Sequence, residues 1–163
     1  MDSFAIFCAA YLYIVTPLAV AIAFARHTSP VRRIMIAHAV IVLVASVVLA
    51  KGGGAIVNDP RPFVVMHTHP LVAHGPDNGF PSDHTLLVFG CAFGLLAYNR
   101  LLGIALCVVG ALVGWGRVAT LLHHPLDVFA SVAFAVLANA IAVTMLRRRM
   151  RGIATLVAGE IGL

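Results

Sequence analysis

Residues 34–50 read IMIAHAVIVLVASVVLA and residues 51–62 continue KGGGAIVNDPRP. The first part contains no acidic residue, lysine or arginine, and a run of that length and composition is a helix inside a bilayer rather than the face of a soluble domain. The second part is a polar island at the end of the span, opened by Lys51 and holding Arg61 between Pro60 and Pro62. Four similar apolar stretches run over residues 4–24, 86–98, 101–113 and 128–146. The chain has 163 residues, 61% hydrophobic and 10% charged, too few for several domains and too apolar for an ordinary soluble one. The expectation is one integral-membrane domain, 1–163, folded as an all-α polytopic helical bundle of about five transmembrane helices. A span needs roughly 20 residues, so the stretches at 86 and 101 must recruit Ser82 to Thr85 and Gly114 to Val118 to cross. Pro17 is expected to kink the first helix, not to end it. That first stretch is not read as a signal peptide, because Asp2 stands where a positive charge should precede it.

Charge sets the expected orientation. Arg26, Arg32, Arg33, Arg100, Arg147, Arg148, Arg149 and Arg151 are eight of the eleven basic residues, and five spans put them on one side, which the positive-inside rule makes cytoplasmic. The N-terminus is then outside. Lys51, Arg61 and Arg117 fall on the opposite side, each within a polar island. The net charge of +5 is therefore a topology signal and does not imply nucleic acid, and Arg147 to Arg151 read as a solvated basic tail. Cys8, Cys91 and Cys107 lie inside apolar runs at no metal-ligand spacing and read as small core residues.

Three islands carry the chemistry. In the first, the prolines limit where the Arg61 guanidinium can point, and a guanidinium so held suits a phosphate; Lys51 either joins it or snorkels at the interface. The second is Phe80-Pro81-Ser82-Asp83-His84-Thr85. It is a helix start: Ser82 and Asp83 serve as a cap, or the free amides and the Ser82 hydroxyl hold an anion, and Asp83 caps the helix or holds a cation. A cap does not account for His84. The third is Arg117, five residues, His123, three residues, Asp127, with Pro125 opening the last helix. Four residues apart, Asp127 can accept the His123 Nδ1–H and leave Nε2 as a free lone pair, the form a nucleophile needs; a structural His–Asp pair is the alternative. His124 competes for that role without an acid at the same spacing. His67, His69 and His74 lie in the intervening loop, read as solvated rather than metal-binding. A transporter and a haem-binding bundle remain as other classes, although His38 has no evident partner at its depth.

The three motifs, Lys51 with Arg61-Pro62, Pro81-Ser82-x-His84 and Arg117-x5-His123-x3-Asp127, resemble the signature of the type-2 phosphatidic acid phosphatase superfamily. Pro-Arg-Pro-Phe followed by Phe-Pro-Ser-Asp-His is most similar to its bacitracin-resistance-type undecaprenyl-diphosphate phosphatases. The sequence departs from the commoner pattern in having Gly54 where a lysine usually stands, Lys51 three residues earlier, Gly116 in place of a serine, and Asp83 in place of a glycine. The resemblance implies a metal-independent, cofactor-free phosphatase of bacterial cell-wall biogenesis, multi-pass in the cytoplasmic membrane with its site facing outward. Its implied partners are the bilayer and a polyprenyl diphosphate or other phospholipid. It also implies roles: His123 as nucleophile, Asp127 orienting it, His84 as general acid, and Lys51, Arg61, Ser82 and Arg117 on the phosphate.

Overall fold

The computed structural model describes the backbone over residues 2–161 and the side chains over 2–147; beyond Arg147 the expected basic tail lies outside the described side chains. Among the described residues the only regular structure is helical, with one isolated bridge between Pro60 and Asn78 in the loops between helices. Its elements are α1 (Asp2–Ala10), a 3-10 turn (Leu12–Ile14), α2 (Val15–Ala25), α3 (Ser29–Ile56), a short α4 (Pro62–Val65), α5 (Asp83–Leu96), α6 (Arg100–Ala119) and α7 (Pro125–Ile161).

Four segments are long and apolar enough to cross a membrane: Asp2–Ala25, Ser29–Ile56, Arg100–Ala119 and Pro125–Arg147. The fifth expected span falls short. Helix α5 has 14 residues, roughly 21 Å at 1.5 Å per residue, against a hydrocarbon core of about 30 Å. It recruits Asp83 to Thr85 at its start and then stops at Leu96, where the chain turns tightly into α6. The first span is interrupted as Pro17 requires. Pro17 cannot donate to the carbonyl one turn before it, and the break falls there, with the 3-10 turn separating α1 from α2.

Helix α3 overruns the apolar stretch at both ends and continues through Gly52, Gly53 and Gly54 to Ile56. Three glycines weaken a helix by about 1 kcal/mol each relative to alanine. Close approach explains two of them: a Cβ on Gly53 would sit 3.0 Å from the rings of Phe134 and Phe80, and one on Gly54 would sit 3.1 Å from the Phe80 carbonyl. The helix end is closed by Asn78, whose Nδ2 donates to the carbonyls of Gly54 (3.0 Å) and Val57 (2.8 Å).

Helix α5 packs on α6 and α7, α3 on α7, and α1 on α6. Large apolar side chains such as Leu18, Val48, Leu101 and Phe129 remain exposed around the bundle, which suits contact with lipid tails and would not suit water. Inside, α1 crosses α6 where Gly116 meets Ala5, Cys8 and Ala9. One buried polar thread joins three elements. His38 of α3 is within 3.0 Å of the Tyr98 hydroxyl and 3.1 Å of Asn139 Oδ1 on α7. Since Asn139 Nδ2 donates to the carbonyls of Gly90 and Ala135, its Oδ1 accepts from His38 Nε2–H, and Nδ1 accepts from the tyrosine. His38, expected to be unpartnered, is thus fully satisfied. The C-terminal end of α3, the start of α5, the end of α6 and the start of α7 meet at one end of the bundle, and the three polar islands meet with them.

Candidate active site

The loop between α6 and α7 positions the third motif. Leu121 adopts a left-handed backbone (φ 62°), uncommon for a residue with a branched side chain. The resulting turn lets Leu122 N–H and His123 N–H both donate to the Arg117 carbonyl, at 3.0 and 3.2 Å. The first island is tied to this turn by Phe63 N–H donating to the Leu121 carbonyl (3.2 Å). The loop before α5 is tied in by Gly79 N–H donating to the Asp59 carbonyl (2.8 Å), ahead of the cis Phe80–Pro81 bond.

His123 is 2% exposed and lies where these segments converge. Its Nδ1 lies 2.8 Å from the Gly79 carbonyl and 3.3 Å from Asp127 Oδ2. Both are acceptors, so Nδ1 carries the proton, and the nearer acceptor is a backbone group that the sequence did not reveal. Nε2 lies 3.2 Å from Arg61 Nη1 and 3.2 Å from Arg117 Nη2; a guanidinium only donates, so Nε2 presents its lone pair to both. Burial is the main influence that lowers the His123 pKa from its ordinary 6.5; Arg117 and Arg61 act in the same direction, while the Asp127 hydrogen bond opposes them.

The two arginines are anchored differently. Arg61 is 5% exposed; its Nε donates to Asp77 Oδ1 at 2.7 Å and its Nη1 to the Leu122 carbonyl at 2.8 Å. That contact with Arg61 holds the Asp77 carboxyl below its ordinary range. Arg117 is 4% exposed and less well satisfied. Its Nη1 reaches the Ala9 carbonyl at 3.4 Å, and its buried Nε has no partner among the described residues.

A polar cavity of about 490 Å³ opens beside His123, and Lys51, Gly54, Arg61, His74, Asp77, Asp83, His84 and Arg117 line it. The structure therefore gathers Lys51, Arg61, His84, Arg117 and His123, drawn from all three islands, around one space. Lys51 and Gly54 lie on the same face of α3. The Phe80 carbonyl leaves little room for a side chain at Gly54, whereas Lys51 is exposed at the cavity wall. Similarly, a serine at Gly116 would place its Cβ 2.7 Å from the Ala9 nitrogen. His67, His69 and His74 are all exposed; of the three, His74 lines the cavity.

Ser82 and Asp127 lie behind the wall. Ser82 occupies the N-cap position of α5 and makes no cap bond; its fully buried hydroxyl pairs with Thr85 Oγ1 at 3.0 Å, and its carbonyl accepts from Ser131 Oγ at 2.9 Å. Of the two expected roles, cap or anion ligand, the cap is not formed, because the hydroxyl is paired with Thr85 one turn on. Asp127 is fully buried beneath His123, with Oδ2 also accepting the His124 N–H at 2.9 Å. His84 stacks edge-on against Tyr13, ring centroids 4.6 Å apart, which brings the break in the first span to the site.

Sequence reading assigned no role to Asp59, Asp77, Asn78 or Gly79. The run Asp77-Asn78-Gly79 is legible as a turn, but not as the segment that fixes Arg61 and His123. One ligand atom from each of Asp59, His124 and Asp127 lies within 4.8 Å of the others, a spacing that could hold a cation. An apolar cleft of about 350 Å³ lies between α3 and α5, with Met35, Val42, Ser46, Leu87 and Tyr98 among its walls. It shares Ala50 and Asp83 with the polar cavity.

The sequence matches the model of the PAP2 superfamily over residues 34–151, and the chain belongs to that superfamily. Among curated proteins it is similar to the bacitracin transport permease protein BcrC of Bacillus licheniformis, 35% identical over 106 residues, which are 64% of this chain and 52% of that one. It is also similar to the undecaprenyl-diphosphatase BcrC of Bacillus subtilis (strain 168), 38% identical over 79 residues, 48% of this chain and 41% of that one. A third relative, YbjG of Escherichia coli (strain K12), is 34% identical over 128 residues, 78% of this chain and 64% of its own length. The chain thus spans between 41% and 64% of the length of these relatives. No solved structure matches it.

Proposed function

We propose that the chain is a membrane lipid phosphatase that hydrolyses undecaprenyl diphosphate to undecaprenyl phosphate and inorganic phosphate, working at the outer face of the bacterial cytoplasmic membrane. The observation that carries this reading is the orientation of His123: Nδ1 is tethered by Gly79 and Asp127, and Nε2 faces two buried guanidiniums at 3.2 Å.

A terminal phosphate entering the cavity offers its oxygens to Arg61, Arg117 and Lys51, and the guanidinium N–H groups now resting on Nε2 transfer to those oxygens. The orphaned Nε of Arg117 gains a partner in the same step. Burial and the neighbouring cations push the His84 pKa down to about 4; the charge of the entering phosphate offsets them, so His84 takes a proton from water. As the freed Nε2 lone pair forms an N–P bond and the P–O bond to the lipid phosphate breaks, His84 gives that proton to the leaving oxygen. Water then attacks phosphorus, surrenders a proton to His84, and the N–P bond breaks to restore His123. Asp127 and the Gly79 carbonyl hold the imidazolium throughout. Three cations supply the charge stabilisation that metal ions supply in many phosphoryl-transfer enzymes, a contribution of about 10² to 10³ in rate per donor. The apolar cleft suits a polyprenyl tail, since it adjoins the polar cavity and shares Ala50 and Asp83 with it. The relative named undecaprenyl-diphosphatase supports the diphosphate over phosphatidate or phosphatidylglycerophosphate.

The test is phosphate release by detergent-purified protein, in EDTA, from undecaprenyl diphosphate and phosphatidate in parallel, with His123→Ala as control. Release that vanishes in the variant supports histidine chemistry, and the ratio between substrates identifies the lipid. Equal release by His123→Ala, or flux of an intact lipid without phosphate release, would overturn the reading.

A further inference from the structure

Asp59 touches the His123–Asp127 pair by three routes that the catalytic reading above does not use. Its carbonyl accepts the Gly79 N–H at 2.8 Å, and the Gly79 carbonyl in turn accepts the His123 Nδ1–H. Its Oδ2 lies 3.0 Å from His124 Nδ1, while the His124 backbone N–H donates to Asp127 Oδ2. The third route is direct, since the carboxyls of Asp59 and Asp127 approach within 4.8 Å.

Asp127 has an unanswered need at this place. Oδ2 receives the His123 ring and the His124 amide, whereas Oδ1, in a residue with no solvent exposure, has no donor among the described residues. A buried carboxylate oxygen without a donor is destabilising, because it has lost its water and gained nothing in return. Two groups could answer it: a cation held by Asp59, His124 and Asp127, or a proton on Asp59. The geometry favours the proton. The 3.0 Å separation of His124 Nδ1 from Asp59 Oδ2 is a hydrogen bond, and whichever of the two atoms carries the proton, that nitrogen has no lone pair left for a metal. Two carboxylates side by side, partly out of water, also resist ionising together.

We propose that Asp59 is a positioning residue for the phosphatase reaction: its protonated carboxyl donates to Asp127 Oδ1 while its other oxygen accepts the His124 Nδ1–H. This inference rests on the proposed function. With a donor on each oxygen, Asp127 is less basic, the proton stays on His123 Nδ1, and Nε2 keeps its lone pair toward the phosphate. Burial and Asp127 both raise the Asp59 pKa from its ordinary 3.8, and His124 opposes them. The other charged or titratable groups around the pair are His123, Arg61, Arg117 and His84, with Asp77 beyond Arg61.

The experiment compares wild type, Asp59→Asn, Asp59→Ala and His123→Ala in the same phosphate-release assay from pH 5 to 9, each shown to be folded by size-exclusion profile. Asparagine reproduces the protonated carboxyl, with an NH₂ toward Asp127 and an oxygen toward His124. Asp59→Asn should keep kcat within about threefold, whereas Asp59→Ala should lose about tenfold to a hundredfold in kcat with KM nearly unchanged, the scale of a misplaced catalytic group. As pH rises and Asp59 loses its proton, wild-type kcat should fall relative to Asp59→Asn, which cannot titrate. Equal losses in both variants, full activity in Asp59→Ala, or a wild-type activity that EDTA removes and Mn²⁺ restores would overturn the assignment. Activity surviving in His123→Ala would instead sink the proposed function, so the two failures are separable.

Discussion

His123 is an imidazole held neutral among cations, and its environment determines how activity should depend on acidity. Burial lowers its pKa below 6.5. The neutral form, which supplies the Nε2 lone pair, therefore persists at a pH where an exposed histidine is already charged. The acid limb of kcat/KM against pH should lie below pH 6.5, with activity lost as pH falls through the lowered pKa. An acid limb above 6.5 would contradict the buried, arginine-facing placement. At this scale the sequence was most informative where a motif carried its own spacing. Arg117, His123 and Asp127 were legible as a unit because the helical offset from His123 to Asp127 implies contact. Ser82 was read as a cap or a phosphate ligand from its place at a helix start, and that position did not reveal that its hydroxyl pairs with Thr85. Asp59 and Gly79 were not legible, since each acts through a contact with a residue far along the chain.

The elements show why two departures from the commoner motif pattern, Gly54 and Gly116, are tolerated, and the second gives a direct test. Gly116 lies where α1 crosses α6, so Gly116→Ser, a return to the commoner residue, should destabilise the protein by about 1–3 kcal/mol, the usual cost of overpacking, and displace Arg117. Thermal unfolding in detergent with activity measured in parallel would show both; an unchanged midpoint would mean that α1 is not seated there. The His38 thread joins α3, the end of α5 and α7 far from the phosphate. His38→Leu should leave the Tyr98 hydroxyl and Asn139 Oδ1 unpaired and cost about 1–2 kcal/mol, with kcat unchanged. A fall in kcat at constant stability would give this thread a chemical role. The apolar runs located the long helical segments, but helix length was not readable from them: five spans were expected, and four are long enough to cross a membrane. The glycines that seem to end α3 instead let Phe80 and Phe134 approach it, and the tight turn after Leu96 limits α5.

For the whole molecule, the bundle sets a polar chamber beside an apolar one, with Ala50 and Asp83 lining both. Ser46 lines the apolar chamber only. Ser46→Phe should fill part of the cleft and raise KM for a long-chain substrate about tenfold, the loss of roughly two buried methylenes at about 0.8 kcal/mol each. It should leave kcat and the KM of a short, water-soluble diphosphate unchanged. An equal effect on both substrates would show that the cleft does not receive the tail. Class and membrane character were evident from composition, whereas the cleft was not, because its walls come chiefly from helices separated by the chain from 57 to 82. The shared border at Asp83 has a kinetic consequence. A lipid that reaches the phosphate chamber from the side never leaves its own leaflet, so the concentration it presents is a number per area. Diluting it with inert lipid or detergent at constant total amount should slow turnover, and adding buffer at a constant lipid ratio should not.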